Sequence, residues 1–284
     1  ADRKPFPDEM GQLLSHFSRK ETKVSSFHDL AEELVKAKHV VALTGAGVSA
    51  PSGIPTFRDP RDGIWRRYDP SICATIWGFR KHPDQLWRLL LDFCREVDPK
   101  PNPAHRALAM LEQLGCMHAI ITQNIDGLHQ EAGSSKVLEF HGNLMNSVCM
   151  SCRDKTPLNK DVMTNPATAP TALPPRCTKC DGILKPDAVL FGEAIPSYAL
   201  WESRREAQRC DLMLVIGTSA NVSPASDLPR LAMASQPPAK IIEISKTSTQ
   251  LTHRVSDVII KADCVGLSHT VEAVTRLKAS STRS

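Results

Sequence analysis

Four cysteines form the most distinctive chemical pattern in the sequence. Cys149 and Cys152 make one Cys-x-x-Cys pair, and Cys177 and Cys180 make a second pair after 24 intervening residues. Four thiolates at this spacing are typical of a tetrahedral zinc site in which protein ligands take every coordination position. No position is left for a substrate, so we expect this zinc to be structural and the reaction to take place elsewhere.

A glycine-containing turn supplies a second candidate site. Gly45, Ala46 and Gly47 follow the first buried apolar segment, and a Gly-x-Gly turn after a strand brings backbone N–H groups close to a pyrophosphate. The match to the dinucleotide fingerprint is incomplete, because the position of its third glycine corresponds to Ala50 or to the displaced Gly53. The acidic residue that would bind the ribose is also not evident about 20 residues later. The turn alone is therefore compatible with nucleotide binding and with an ordinary tight turn.

The segments that could position these residues alternate between strands and helices. Five continuous apolar runs predict strands that are buried on both faces. These runs are residues 39–43, 119–122, 212–216, 240–244 and 258–260. Residues 27–38 and 267–277 carry apolar side chains at helical spacing. This alternation predicts an α/β fold with a doubly wound parallel sheet.

Two stretches interrupt the alternation. Residues 143–185 hold both cysteine pairs and a segment rich in Pro, Ala and Thr, which predicts an inserted zinc ribbon. Residues 54–103 are rich in Arg and Trp and predict a flexible loop followed by a helical insertion. The remaining parts are a discontinuous sheet domain at 28–53, 104–142 and 186–278, an N-terminal extension at 1–27 and a tail at 279–284.

Composition narrows the class of protein. Apolar residues make up 41% and charged residues 23% of the chain, as in soluble globular proteins. The net charge of +4 is spread along the sequence, so it does not suggest nucleic acid as a partner. The apolar runs are far shorter than the roughly 18 residues of a membrane span. Five cysteines remain besides the two pairs, which is an odd number, and paired Cys-x-x-Cys motifs favour a reducing compartment over a secreted disulfide scaffold. We expect a cytoplasmic or nuclear protein, or one whose leader has been removed.

Seven short motifs, taken together and in order, resemble the sirtuins, a family of NAD-dependent protein lysine deacylases. They lie at 45–49, 53–58, 123–126, 141–142, the four cysteines, 191–193 and 217–219. The resemblance covers residues 28–278, and residues 74–79 and 242–257 are also similar to sirtuins of protozoan parasites. It implies a Rossmann-like NAD domain, a smaller zinc-ribbon and helical domain, and a substrate cleft between them.

The resemblance assigns roles to individual residues. His141 is implied to be the general base, which suits an imidazole that is largely neutral at cellular pH, and Asn124 is implied to be catalytic with it. Asn124 and Asp126 could also cap a helix, and Ser245 stands where the family commonly has Asn. The implied NAD-binding residues are Gly45, Ala46, Gly47, Thr56, Phe57, Arg58, Gln123, Asn124, Asp126, Gly217, Thr218, Ser219, Asn221, Ser245 and Cys264.

The substrate implied by the resemblance is an acyl-lysine peptide that adds as a strand between two edges. The implied peptide-binding residues are Val189, Phe191, Gly192, Glu193 and Val222. Sirtuins that prefer succinyl-lysine carry a Tyr-x-x-Arg pair, whereas the matching helix at 86–97 has no Tyr and several apolar residues. Burying an unpaired carboxylate there is costly, so neutral acyl groups, acetyl or long-chain fatty acyl, are favoured. The same apolar stripe could equally be helix core.

We therefore expect transfer of an acyl group from protein lysine to NAD, giving nicotinamide, O-acyl-ADP-ribose and free lysine. Histones are candidate substrates, and a monomer is expected. Three alternatives stay open from the sequence. The first is a protein mono-ADP-ribosyltransferase that uses the same NAD site, the second is a non-catalytic binder of NAD or acyl-lysine, and the third is a zinc-ribbon nucleic-acid binder. Charges of both signs flank the ribbon, which disfavours the third.

Overall fold

The computed structural model describes residues 26–56, 67–158 and 172–281. Its strands are β1 (Val40–Thr44), β2 (Ala119–Thr122), β3 (Val137–Glu139), β4 (Gly142–Cys149), β5 (Lys155–Pro157), β6 (Leu184–Ala188), β7 (Leu212–Ile216), β8 (Lys240–Ile244) and β9 (Val258–Ile260). Its helices are α1 (Phe27–Lys36), α2 (Pro70–Cys73), α3 (Ile76–Lys81), α4 (Pro83–Glu96), α5 (Pro103–Gln113), α6 (Leu128–Glu131), α7 (Ser197–Arg209), α8 (Leu228–Met233) and α9 (Leu267–Ser281). All five predicted strands form within one residue of their expected bounds.

Six strands pair in parallel in the order β3-β2-β1-β7-β8-β9. Val41 of β1 lies beside Ala119 of β2 on one side and Met213 of β7 on the other. Every residue of β1 is buried, as expected for a parallel sheet covered on both faces. The predicted doubly wound sheet is confirmed. From β1 the chain adds β2 and β3 towards one edge of the sheet, and it then returns to add β7, β8 and β9 towards the other edge. The boundary between β1 and β7 is therefore a topological switch point, where open α/β sheets bind ligands.

Helices cover both faces of this sheet. On one face, α1, α5 and α9 bury Leu30, Leu108 and Val271 against strand residues such as Ile120. On the other face, α7 and α8 pack against Met213 and its neighbours. Each large side chain that is fully buried stabilises the fold by roughly 1.5–3 kcal/mol. Helix α9 continues to residue 281, into the segment expected to be a tail.

The two insertions share one smaller core. Strands β5, β4 and β6 form an antiparallel sheet, and helices α2, α3 and α4 pack against it. Trp87 of α4 is fully buried, and its indole N–H donates to the carbonyl of Leu184 in β6 at 2.9 Å. The core also contains Phe79 and the first cysteine of each pair, Cys149 and Cys177. Among the described helices, none is long and apolar enough to cross a membrane.

Candidate active site

The loop after β1 packs directly against the loop after β7. The Gly47 N–H donates to the Gly217 carbonyl at 2.8 Å, and a Cβ on Gly47 would lie 2.8 Å from Gly217 Cα. Gly217 has φ of +60°, a conformation that favours glycine. The glycines of the candidate phosphate loop are thus required by backbone packing, which fixes the 3₁₀ turn Ala46–Val48 at the switch point.

Asn124 is fixed by hydrogen bonds at the carboxyl end of β2. Its Nδ2 donates to the Gly45 carbonyl at 3.1 Å and to Ser49 Oγ at 2.9 Å. Because a side-chain amide has two N–H donors, the Oδ1 oxygen is left to accept from a ligand. Ser49 in turn donates to Asp126 Oδ2 at 2.7 Å, and Asp126 Oδ1 accepts from the Leu128 N–H at 2.9 Å. Asp126 therefore precedes the N-cap residue Gly127, bonds the first N–H of α6 and is joined through Ser49 to Asn124.

His141 has the geometry of a neutral general base. Its Nδ1 lies 3.0 Å from the Gln123 carbonyl oxygen, and since a carbonyl can only accept, Nδ1 carries the hydrogen and Nε2 the lone pair. Burial lowers the pKa of His141 below the usual 6.5, which keeps the imidazole unprotonated near pH 7. The Gln123 side chain donates to Thr218 Oγ1 at 3.0 Å and to the Thr44 carbonyl at 3.3 Å, so one residue joins three strand ends.

The residues predicted to hold the adenosine half lie along the ends of β7, β8 and β9. Ser219 and Asn221 are exposed, whereas the Ser245 hydroxyl donates to the Thr247 carbonyl at 2.8 Å. Cys264 is buried with its Sγ 3.7 Å from the Gly47 carbonyl oxygen. Burial raises the pKa of the Cys264 thiol to about 12, so it is an unreactive packing group.

The loop that follows the glycine turn is described only as far as Thr56, which is half-buried. Phe57 and Arg58, predicted to shield the ribose and bind the phosphates, lie outside the described residues.

Two buried histidines lie behind the carboxyl end of β1 and were not singled out from the sequence. The His105 and His129 rings lie 4.8 Å apart between centroids, and His129 Nε2 lies 3.0 Å from Thr44 Oγ1. Burial lowers their pKa values to about 4 for His105 and about 3 for His129. Asn102 accepts from the Ala104 N–H at the start of α5, and this Asn-Pro-x-His capping pattern was the sequence signal available for His105.

The predicted peptide-binding segment connects the base to the helical insertion. The Val189 N–H donates to the His141 carbonyl at 2.8 Å, and the Phe191 N–H donates to the Ala74 carbonyl at 2.8 Å. Phe191 is 54% exposed. Gly192 has φ of +88°, and the Trp77 ring packs where its Cβ would be.

Two other predicted substrate residues have internal partners. The Glu193 carboxylate lies 3.0 Å from the Lys185 ammonium and accepts from the Leu190 N–H at 2.9 Å. Val222 lies on the loop after β7, where its carbonyl accepts from the Ser226 N–H at 3.0 Å. Glu193 is therefore engaged within its own loop, whereas Val222 is half-buried.

The four cysteines converge as predicted. Cys149 and Cys180 sulfurs lie 3.5 Å apart, Cys152 and Cys177 sulfurs 3.7 Å apart, and all four lie within 4.8 Å of one another. A tetrahedral ion with zinc–sulfur bonds of ~2.3 Å requires sulfurs roughly 3.8 Å apart. The thiol set and its spacing fit a closed structural zinc site.

Helix α4 contributes to a small cavity that is also lined by Pro55. Pro55, Arg67, Tyr68, Leu89, Phe93, Glu96 and Val97 line it. Its polar groups are paired, because Arg67 donates to both Glu96 oxygens at 2.6 and 2.7 Å and the Tyr68 hydroxyl donates to Asp92 at 2.6 Å. Leu89, Leu90 and Leu91 belong to the smaller core, so the predicted apolar stripe is largely core, and part of it also faces the cavity.

Comparisons with known proteins match this architecture over most of the chain. Residues 45–224 match the Sir2 family model. The chain is 41% identical to NAD-dependent protein deacylase 2 of Archaeoglobus fulgidus, with 88% of this chain and 96% of the relative covered. It is also 41% identical to the NAD-dependent protein deacylase of Thermococcus kodakarensis, with 81% and 88% covered.

Solved structures agree with these relatives. A Sir2 homologue in complex with ADP-ribose has a TM-score of 0.80 and 38% identity, covering 88% of this chain and 97% of that one. A Sir2 protein bound to a myristoylated histone peptide has a TM-score of 0.73 and 35% identity, covering 89% and 98%.

Proposed function

This chain belongs to the Sir2 family, and from this membership we propose that it removes neutral acyl groups from protein lysines with consumption of NAD, using His141 as the general base. The observation that carries the proposal is the state of that imidazole. Its Nδ1–H is directed to the Gln123 carbonyl and burial lowers its pKa, so Nε2 is free to accept a proton. The relatives reported above are named deacylases, which does not favour the ADP-ribosyltransferase alternative.

The residues at the switch point suit a dinucleotide. The 3₁₀ turn Ala46–Val48 lies at the switch point of the sheet, where open α/β sheets bind ligands. Asn124 Oδ1 is an acceptor positioned by two hydrogen bonds. NAD supplies an electrophilic ribose carbon, because nicotinamide is its leaving group. The protein's part is to orient the ribose and to exclude water from the reacting centre.

His141 is suited to take the proton of a ribose hydroxyl. The proton that it accepts on Nε2 gives an imidazolium whose charge is stabilised by the hydrogen bond from Nδ1–H to the Gln123 carbonyl. Gln123 is itself held by Thr218 and Thr44, so the carbonyl needs little reorganisation when the charge appears. This arrangement also fixes the tautomer, as a carboxylate or carbonyl does for many catalytic histidines.

The acyl specificity follows from paired charges beside α4. Arg67 is the described cation lining this cavity, and its two terminal nitrogens both donate to the Glu96 carboxylate. A succinyl carboxylate would have to compete with Glu96 for Arg67, and no other described cation lines this cavity. Acetyl and fatty acyl groups need no such partner. We therefore propose acetyl- or long-chain acyl-lysine as substrate, with histone peptides as the first candidates because a relative binds one.

The test is peptide deacylation with NAD, comparing acetyl-, myristoyl- and succinyl-lysine peptides of one sequence. Parent protein should turn over a neutral acyl peptide, and His141→Ala should lose turnover by about 10²-fold or more while retaining ADP-ribose binding. His269→Ala, which removes an exposed histidine on α9, is the matched control. Best turnover of the succinyl peptide would refute the specificity. NAD cleavage that labels protein without deacylation would instead support ADP-ribosyl transfer.

A further inference from the structure

Lys185 is a buried lysine whose three N–H donors all have acceptors. Its side chain is 5% exposed. The ammonium donates to the Pro186 carbonyl at 3.0 Å and to the Ala188 carbonyl at 2.6 Å, and it lies 3.0 Å from Glu193 Oε2. Lysine is rarely buried unless it is paired, and an ammonium has three donors. Residues 186–193 therefore fold around a single charged group.

The segment organised by Lys185 is the predicted peptide-binding edge. Glu193 Oε2 also accepts from the Leu190 N–H, which closes the loop on itself. Within that loop, the backbone of Val189 is bonded to His141 and the backbone of Phe191 is bonded to the α2–α3 connection. The edge that would pair with a peptide strand thus depends on an internal ion pair.

Strand β6, which carries Lys185, also connects the peptide edge to the zinc module. Lys185 lies in β6 opposite Val148, and the adjacent pair in the register is Leu184 with the cysteine Cys149. The antiparallel pair β4–β6 therefore connects Cys149 of the candidate zinc site to Lys185. The backbone that carries Lys185 is held by this pairing, and the ammonium in turn binds residues of the peptide edge.

We propose that Lys185 is a positioning residue for the acyl-lysine peptide. Its ammonium holds residues 189–193 in the conformation that receives the peptide strand, and Glu193 acts as its counter-ion and not as a contact to the peptide. This inference rests on the proposed function, because the peptide edge is assigned together with the deacylase reaction. The role concerns the peptide more than NAD, since none of the residues proposed to bind NAD is a partner of the Lys185 ammonium.

The experiment compares steady-state kinetics of the full-length zinc-loaded protein and its variants. Lys185→Met should raise KM for the acyl peptide by about tenfold or more, as expected for loss of a buried charged hydrogen-bond donor. We expect kcat to change less than about threefold and KM for NAD to stay within about twofold. Lys185→Arg keeps the charge and the donors, and should recover most of the peptide affinity.

The matched control is Lys155→Met. Lys155 pairs with Asp187 at 2.7 Å in the same small sheet, but its side chain is 64% exposed. Because exposed ion pairs contribute little, this variant should leave all three kinetic constants within about twofold.

Glu193→Gln keeps an acceptor for the Leu190 N–H and provides a second variant. If Glu193 is a counter-ion, the double variant Lys185→Met/Glu193→Gln should be less impaired than Lys185→Met, because no carboxylate is left unpaired. Additive losses would mean that Glu193 contacts the peptide directly and would overturn the proposal.

Two other results would overturn it. One is an unchanged peptide KM in Lys185→Met. The other is loss of bound zinc with equal rises in both KM values, which would indicate a merely structural lysine. A parent protein that turns over no acyl peptide would refute the proposed function itself, which distinguishes that failure from a failure of the role of Lys185.

Discussion

Lowering the pH from 7 to 5 should destabilise this protein through His105 and His129. Both rings are essentially inaccessible to solvent and pack edge to face, and burial is the main cause of their lowered pKa values. Asp126 opposes the shift at His105 and Arg106 adds to it. The only close polar contact of the His129 ring among the described residues is Thr44, through Nε2. Among the described residues, no carboxylate bonds to the His129 ring to stabilise an imidazolium.

The sign and the size of the effect follow from linkage. An unfolded histidine titrates near 6.5, whereas the native values are about 4 for His105 and about 3 for His129. Between pH 6.5 and these values the unfolded chain takes up protons that the native state does not, so stability falls as the pH falls. At pH 5, about 1.5 units below the unfolded value, each histidine costs roughly 2 kcal/mol and the pair roughly 4 kcal/mol.

The assay is urea unfolding at pH 7, 6 and 5 for parent protein and His129→Gln. Zinc release also depends on pH, so the prediction concerns the difference between the two proteins. His129→Gln should be less stable at pH 7, yet should lose about 2 kcal/mol less than the parent between pH 7 and pH 5. His269→Gln on the surface of α9 is the control and should follow the parent. An equal pH-dependent loss in His129→Gln and parent would refute the explanation.

Three shorter predictions concern the site itself. Because burial lowers the pKa of His141, the acidic limb of the kcat/KM profile should lie below pH 6.5, and a limb at pH 7 or above would contradict a neutral buried base. Gly47→Ala should weaken ADP-ribose binding in calorimetry by about tenfold or more, since its Cβ would lie 2.8 Å from Gly217 Cα; unchanged affinity would show that the loops separate freely. Zinc chelation or Cys177→Ser should abolish the near-ultraviolet dichroism of the smaller core around Trp87, and an unaltered spectrum would mean that the core does not need the metal.

The large sheet was predictable because its strands are apolar on both faces. A run such as 212–216 has no polar residue to confuse its period, and its bounds agree with β7. Strand β3 was missed because it has only three residues, of which Leu138 alone is buried. Helix α4 begins at Pro83, three residues before the expected start at 86, although proline is common in the first turn of a helix.

The site was predictable where neighbouring residues carry its chemistry, and not where distant ones do. The segment from Gln123 to Asp126 is contiguous and was identified at once, as were the cysteine pairs. Lys185 looked like one more charge beside the ribbon, because nothing local indicates that Glu193 will be its partner. His105 and His129 are 24 positions apart, and their contact exists only because α5 and α6 meet behind β1. The roles of Lys185, His105 and His129 depend on burial and on contacts with residues distant in the sequence, which a single sequence does not reveal.

His141 lies between the large sheet and the smaller core, and backbone contacts connect it to the candidate zinc site. Its ring is held by the Gln123 carbonyl at the end of β2, whereas its own carbonyl accepts from Val189 just after β6. The next residue, Gly142, begins β4 with φ of +71°, and a Cβ at this position would overlap the Asp187 carbonyl oxygen, so the approach requires glycine. Strand β4 then ends at the zinc ligand Cys149. The strand that ends at a cysteine of the candidate zinc site thus begins directly after the proposed base, and we expect loss of zinc to shift the His141 backbone and lower turnover.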